Sequence, residues 1–342
     1  MAVETNIPIG SSNEAGFVLP YVLIVVVILS FSLILIGQRL QNTSSLLRQM
    51  EAQLDQETAI NSAESEAIYS LLTASPVAFG QELNPLKSLS YSKSKIQRQT
   101  PQDIWLANGG VRQSMTSTGI VGVEYRDGSG FIPINSADRK TLMALTRSLG
   151  IRRQEAESLV AKLRDFIDED SRRQTLGGEG SDYRLLQMLP PTNGAIRTRG
   201  ELNNVIGWKS KLDQIDENDI LDKITFSQKI IYPKEHFIEA TFREQLQLDL
   251  EKSGSLMALQ RSNKHPTDVA RFAIYYQHPE GGFSKRTIEV EKTISSLQKP
   301  FSRQLIYQDV VIDINSDRKF SEFFSSLSES SHVIYPPTYR YN

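Results

Sequence analysis

A chain of 342 residues in which 38 Lys and Arg stand against 40 Asp and Glu carries a formal net charge of −2. That balance supplies neither the basic field nucleic acid requires nor an acidic solvating tail, and the length leaves room for two modest folded units. The absence of Cys excludes disulfides, thiolate catalysis and Cys-based zinc sites, and the four His (His236, His265, His278, His332) show no metal-ligand spacing and read as surface or loop residues.

No charged residue interrupts the run from Phe17 to Gly37, FVLPYVLIVVVILSFSLILIG. At about 1.5 Å per helical residue, some 20 such positions cross the roughly 30 Å hydrocarbon core of a bilayer. The small residues Ala15 and Gly16 come before the run, unlike the cleavage site of a secretory signal peptide, which follows it. A cut between Gly16 and Phe17 therefore removes a leader, residues 1–16, and leaves the helix on the mature protein. The leader holds Glu4 and Glu14 but no Lys or Arg, whereas Arg39 and Arg48 follow the span. Taken alone, that charge bias favours a cytoplasmic C-terminal part.

From Gln38 to about Ala74 the chain lacks Pro and Gly. Leu40, Leu47, Met50 and Leu54, then Ala63, Ala67 and Leu71, recur at helical spacing. One helix over residues 17–75 is expected, with residues 17–37 in the membrane, ending before Pro76 and packing its outer half on a β-sheet. Strands are expected at Ile120–Tyr125 and Phe131–Ile134, joined as a hairpin through Asp127-Gly128. Later ones are expected at Ala270–Gln277, Thr287–Ile294 and Leu305–Ile314, with a turn through Pro279–Gly282. Phe272, Ile274 and Tyr276 alternate as in a half-buried strand. Between the two β regions, helices are expected at Asp138–Leu149, capped by Ser136, then after Gly150 through Ile167, and at Gly200–Ile206. The fold class is α+β: a helix-plus-sheet domain (76–135 and 226–342) interrupted by a helical insert (136–225).

The chemistry concentrates at DFIDED followed by SRRQTLGGEGSDY. Asp165, Asp168, Glu169, Asp170, Glu179 and Asp182 crowd a helix end and the loop beyond it. Crowded carboxylates repel one another, so a hard cation is the functional reading; Asp165, Asp168, Asp170, Glu179 and Asp182 are the candidate ligands. Calcium, with 6–8 oxygen ligands, suits a flexible loop better than magnesium. The spacing is not an EF-hand. A solvated acidic helix terminus, neutralised by Arg152, Arg153, Arg172 and Arg173, is the structural alternative.

The stretches GFIPINSADRKTLMALTRSLGI, DFIDED, GGEGSDY and RGELNNVIGW occur in that order. Together they resemble the K-type minor pseudopilin of type II secretion systems, a type IV pilin-like family, over roughly residues 128–210. Asn135 and Ala137 match the start of that family's inserted domain. Asp165, Ile167, Asp168 and Asp170 match its acidic segment, Gly177, Glu179 and Tyr183 its loop, and Glu201, Leu202 and Gly207 its exit. Phe166 stands where Trp is usual, and Ile134 departs from the expected Asn. The Gly16-Phe17 junction resembles the family's prepilin peptidase site.

The resemblance implies cleavage, N-methylation of Phe17, and a single-pass protein of the bacterial inner membrane whose bulk is periplasmic. It further implies assembly with the I- and J-type minor pseudopilins, the major pseudopilin and the inner-membrane assembly platform. Most pilins place Glu five residues into the mature chain; Tyr21 stands there, as the K type implies for a subunit at the tip of the pseudopilus. The implied role is to nucleate pseudopilus assembly for protein export across the outer membrane. A competing reading is a membrane-anchored helix-hairpin-helix nucleic-acid binder built on Leu149-Gly150-Ile151 with Arg152 and Arg153, which the charge balance disfavours. Catalysis is not expected: the sequence has no phosphate loop, nucleophile elbow or His–carboxylate pair.

Overall fold

The computed structural model describes residues 18–82, 104–116, 119–215, 220–239, 242–244, 246, 264–277, 283–293 and 300–310. Two compact units divide the chain, Met1–Glu57 and Thr58–Asn342. The first contains most of helix α1 (Val18–Thr73). Side chains from Tyr21 to Ile36 are exposed, and the 18-residue window that would cross a membrane has none of its residues buried. Ser30 and Ser32 donate their hydroxyls to the Val26 and Ile28 carbonyls at 2.8 Å. Polar atoms in this stretch are thus satisfied within the helix, as a lipid environment demands.

In the second unit α1 buries one stripe, Ala59, Ile60, Ala63, Ala67, Ile68 and Leu71. The three- and four-residue spacing sets these side chains on one face, and the alanines let the helix approach its partner closely. That partner is an antiparallel five-stranded sheet. Its strands are β4 (Asn108–Thr116), β5 (Gly119–Asp127), β8 (Val269–Gln277), β9 (Phe283–Lys292) and β10 (Phe301–Val310), in the order β10-β9-β8-β5-β4. Val121, Val123, Tyr125, Phe272, Ile274, Tyr276, Ile288 and Val290 meet the helix stripe. Trp105, Tyr125 and Phe272 cluster with ring centroids 5.3–5.6 Å apart. Glu64 of α1 binds Arg286 (3.4 Å) and Arg303 (2.8 Å), fixing helix to sheet at two strands. A small antiparallel sheet of β1 (Pro76–Val77), β2 (Gly80–Glu82) and β3 (Ile104–Leu106) joins α1 to β4.

Between β5 and β8 stands a helical block: α2 (Arg139–Ser148), α3 (Arg153–Ile167), α4 (Gly180–Leu185), α5 (Arg199–Asn203) and α6 (Trp208–Leu212). Gly150, at φ +80°, closes α2 and lets the chain reverse into α3, whose Leu159, Val160, Leu163 and Phe166 build the block's core with Leu142, Leu145 and Trp208. β6 (Ile132–Pro133) leads into the block and β7 (Ile224–Thr225) leads out; the two pair in parallel and close its neck. Asn135 locks the same junction, donating to the Ile196 (2.8 Å) and Phe226 (3.1 Å) carbonyls and accepting from the Ile196 N–H (2.8 Å).

Several expectations need correction. The segment after Asp127-Gly128 does not fold back on β5 as a hairpin. A 3₁₀ turn (Gly128–Gly130) sends it to β7, because the buried Asp127 carboxylate accepts from the Ser129 N–H (2.9 Å) and from Thr267 of a distant loop. Phe131 goes into the interior beneath Arg271, whose guanidinium carbon lies 3.9 Å from the ring centre. Asp138, not Ser136, caps α2, accepting from the Thr141 N–H at 2.7 Å. Strand β8 is buried on both faces, since Ala270, Arg271, Ala273 and Tyr275 are buried as well as Phe272, Ile274 and Tyr276. β9 and β10 both start four residues ahead of their expected positions. Ile314, the turn through Pro279–Gly282, His278 and His332 lie outside the described residues.

Candidate functional site

Helix α3 delivers the acidic stretch. Its buried face carries Asp165, which is fully enclosed and accepts from the Gln174 N–H (3.1 Å) and the Gly178 N–H (2.9 Å). Asp165 therefore folds the loop after the helix back against α3. Burial pushes its carboxyl upward, opposed by those two amides. Gly177 makes this possible: a Cβ there would sit 2.0 Å from Asp165 Oδ2.

The refolded loop brings Asp168, Asp170 and Glu179 together, with one carboxylate oxygen of each within 4.8 Å of the others. Asp168 ends α3; its Oδ2 accepts from the Gln174 side chain at 3.4 Å. Asp170 Oδ1 accepts from the Arg172 N–H at 2.7 Å. Glu179 is only 6% exposed. Asp168 Oδ1 and Glu179 Oε1 are buried without a donor, and among the described residues no Lys or Arg forms an ion pair with any of the three. Burial pushes the Glu179 carboxyl upward, and Asp165, Asp168 and Asp170 push it further. Burial, and after it the Glu179, Asp165 and Asp182 carboxylates, lift the Tyr183 phenol to about 12 against the Ile206 N–H it accepts.

Asp182 does not face the cluster. It accepts from the Glu179 N–H (2.9 Å) at the start of α4 and from Arg173 (3.2 Å). Of the neutralising arginines considered, Arg153 pairs with Glu157 at 3.2 Å. Two contributors have no local signal in the sequence: Gln174, and Asn193, whose side chain donates to the Asp170 carbonyl across 23 positions (3.3 Å). The donors are all oxygens, two of them buried and unpaired, so the chemistry of the set fits a hard cation.

Residues 121–214 match the family model described as type II secretion system (T2SS), protein K. Over these residues the chain is similar to type II secretion protein K. The match begins in β5, ends just beyond α6, and contains the whole carboxylate cluster. A chain from the crystal structure of the GspK-GspI-GspJ complex of the enterotoxigenic Escherichia coli type 2 secretion system superposes with a TM-score of 0.48 and 16% identity. The superposition covers 78% of this chain and all of that one. No curated protein sequence matches.

Within the matched segment, the motif residues have structural roles. Trp208 Nε1 donates to the Leu159 carbonyl at 3.0 Å, Glu201 accepts from the Arg197 N–H at 2.7 Å, and Gly207 turns the chain at φ +85°. Gly16 and Phe17 lie outside the described residues, and Tyr21 is exposed on α1. Because nothing near Gly177 can yield without moving Asp165, Gly177→Ala is expected to destabilise the helical block by about 1–3 kcal/mol. Urea titration followed by circular dichroism measures this, and an unchanged midpoint counts against the packing described.

Proposed function

We propose that the protein is a minor pseudopilin at the tip of the type II secretion pseudopilus, nucleating its assembly for protein export across the outer membrane. The observation that carries the reading is the order of parts: a helix long and apolar enough to cross a bilayer, then a pilin-like helix-and-sheet layer, with a protein K domain inserted between strands. Residues 136–225 form the inserted helical domain in this reading, and 76–135 with 226–342 form the pilin-like domain. The chain sits in the bacterial inner membrane with its bulk in the periplasm. Its partners are the I- and J-type minor pseudopilins, the major pseudopilin and the assembly platform.

Tyr21 supports a terminal position. A carboxylate there would be drawn to a neighbour's N-terminal amine, since an unpaired charge within a membrane helix is costly, up to roughly 2.5–3.5 kcal/mol at the centre on insertion scales. A subunit with nothing above it has no such amine to meet. Calcium is the proposed ion, held by Asp168, Asp170 and Glu179. Asp165 and Asp182 support it, ordering the loop and the start of α4. When bound, the ion supplies charge neutralisation and loop rigidity rather than chemistry on a substrate.

Mass spectrometry of the protein from a host with prepilin peptidase tests the assignment. The expected species starts at N-methylated Phe17 and co-purifies with the I- and J-type subunits. Mature protein retaining Met1–Gly16 sinks the pseudopilin reading whatever the calcium result.

A further inference from the structure

Two Asn-Gly dipeptides occur in the chain, Asn108-Gly109 and Asn193-Gly194, and the structure treats them differently. Asn108 belongs to β4, in register opposite Arg126 of β5, and Gly109 takes up the register shift that follows at φ +104°. Asn193 lies in a bend between α4 and α5, half-buried, at φ +48°, in neither helix nor strand. Among the described residues no acceptor takes the Gly194 N–H, and a Cβ on Gly194 would have its nearest neighbour 3.8 Å away. An amide nitrogen without a hydrogen bond, next to an asparagine and flanked by no side chain, is the reactive arrangement for succinimide formation. The Asn193 side chain is held on one side only: Nδ2 donates to the Asp170 carbonyl (3.3 Å), while Oδ1 is buried without a donor.

We propose that Asn193 is a site of spontaneous deamidation that ages the carboxylate loop. The Gly194 nitrogen gives its proton to water or hydroxide and attacks Asn193 Cγ. The new C–N bond closes the succinimide, and the Cγ–Nδ2 bond breaks to release ammonia, which takes up a proton. Water then opens the ring at either carbonyl, leaving aspartate or isoaspartate, with no change of oxidation state. Either product loses the donor to the Asp170 carbonyl and sets a negative charge against a loop that already gathers three carboxylates. Isoaspartate also lengthens the backbone by a methylene. The site does not depend on calcium binding there.

The test is peptide mapping by mass spectrometry of the full-length, detergent-solubilised protein held at neutral and mildly alkaline pH. The peptide containing Asn193 is expected to gain the mass of amide-to-acid conversion, with isoaspartate as a product and a rate that rises with pH. The peptide containing Asn108 should lag severalfold behind. Gly194→Ala should slow conversion at Asn193 about tenfold, because a Cβ obstructs ring closure. The proposal is overturned if Asn193 stays intact while heat-unfolded protein deamidates at both dipeptides, if Asn108 converts first, or if Gly194→Ala leaves the rate unchanged.

Discussion

Arg271→Ala is expected to cost about 3–5 kcal/mol, the loss typical when one partner of a buried ion pair is removed. Arg271 and Glu289 are 3% and 4% exposed and meet at 2.7 Å between β8 and β9. The guanidinium also donates to the Leu221 and Ile224 carbonyls, the latter at 2.7 Å, and stacks on Phe131. Thr225 completes the group by donating to Glu289 at 2.7 Å. One side chain therefore ties the sheet to the strand that closes the neck of the helical block. Removing it strands the Glu289 carboxylate with the Thr225 hydroxyl as its remaining partner, and leaves two backbone carbonyls to other donors. At about 2–4 °C per kcal/mol for a unit of this size, the melting temperature should fall by roughly 6–20 °C. The double variant Arg271→Met with Glu289→Leu should recover most of the loss, since neither partner is then left charged. A double variant no better than the single one would mean that the carbonyl contacts, and not the ion pair, dominate.

Calcium should raise the melting temperature of the full-length protein, and Glu179→Gln should abolish that rise. At a concentration of 100 times Kd, one site contributes about 2.7 kcal/mol, or about 5–10 °C. The metal-free protein supplies a sharper signature. Glu179 titrates above its ordinary value of 4.5 because it is buried among carboxylates. Between that value and its raised folded one, the folded state holds more protons than the unfolded state, so this group's contribution to stability falls as pH rises through the window. Glu179→Gln removes the slope, and at pH 7 without metal it should melt above the wild type while failing to respond to calcium. Asp168→Ala should likewise lose the response. Thermal melts across pH, with chelator and with calcium, check both arms. A wild type that ignores calcium removes the proposed ion; a Glu179→Gln variant less stable than the metal-free wild type removes the repulsion argument.

The parts that could be read in the sequence are those whose determinants are local. Helix α1 follows from an uncharged run and then from the 3.6-residue spacing of Ala63, Ala67 and Leu71. α2 and α3 follow from their own periodicity and from Gly150 between them. The acidic segment is visible as composition, and β8 is visible as a strand, although burial of both its faces is not. The misread elements are the ones whose partners are remote. Asp127-Gly128 is a good turn signal, but Thr267 answers Asp127 from 140 positions away, and that contact redirects the chain from a hairpin to a parallel neck. Ser136 and Asp138 are both plausible caps by type; geometry chose Asp138.

The sequence by itself determined that this protein has a membrane-length helix, an α+β body with a helical insertion, and a crowd of carboxylates at the end of one helix. Each of these rests on side chains within a few turns of one another, where spacing and hydrophobicity suffice. Only the tertiary structure decided what the carboxylates do: Asp165 is spent on holding the loop, Asp182 on starting α4, and Asp168, Asp170 and Glu179 converge. Sequence spacing leaves that division open, because a loop's path is set by which of its amides a buried carboxylate captures. The Arg271–Glu289 pair was invisible for the same reason: burial, not proximity along the chain, turns two common charged residues into a structural joint.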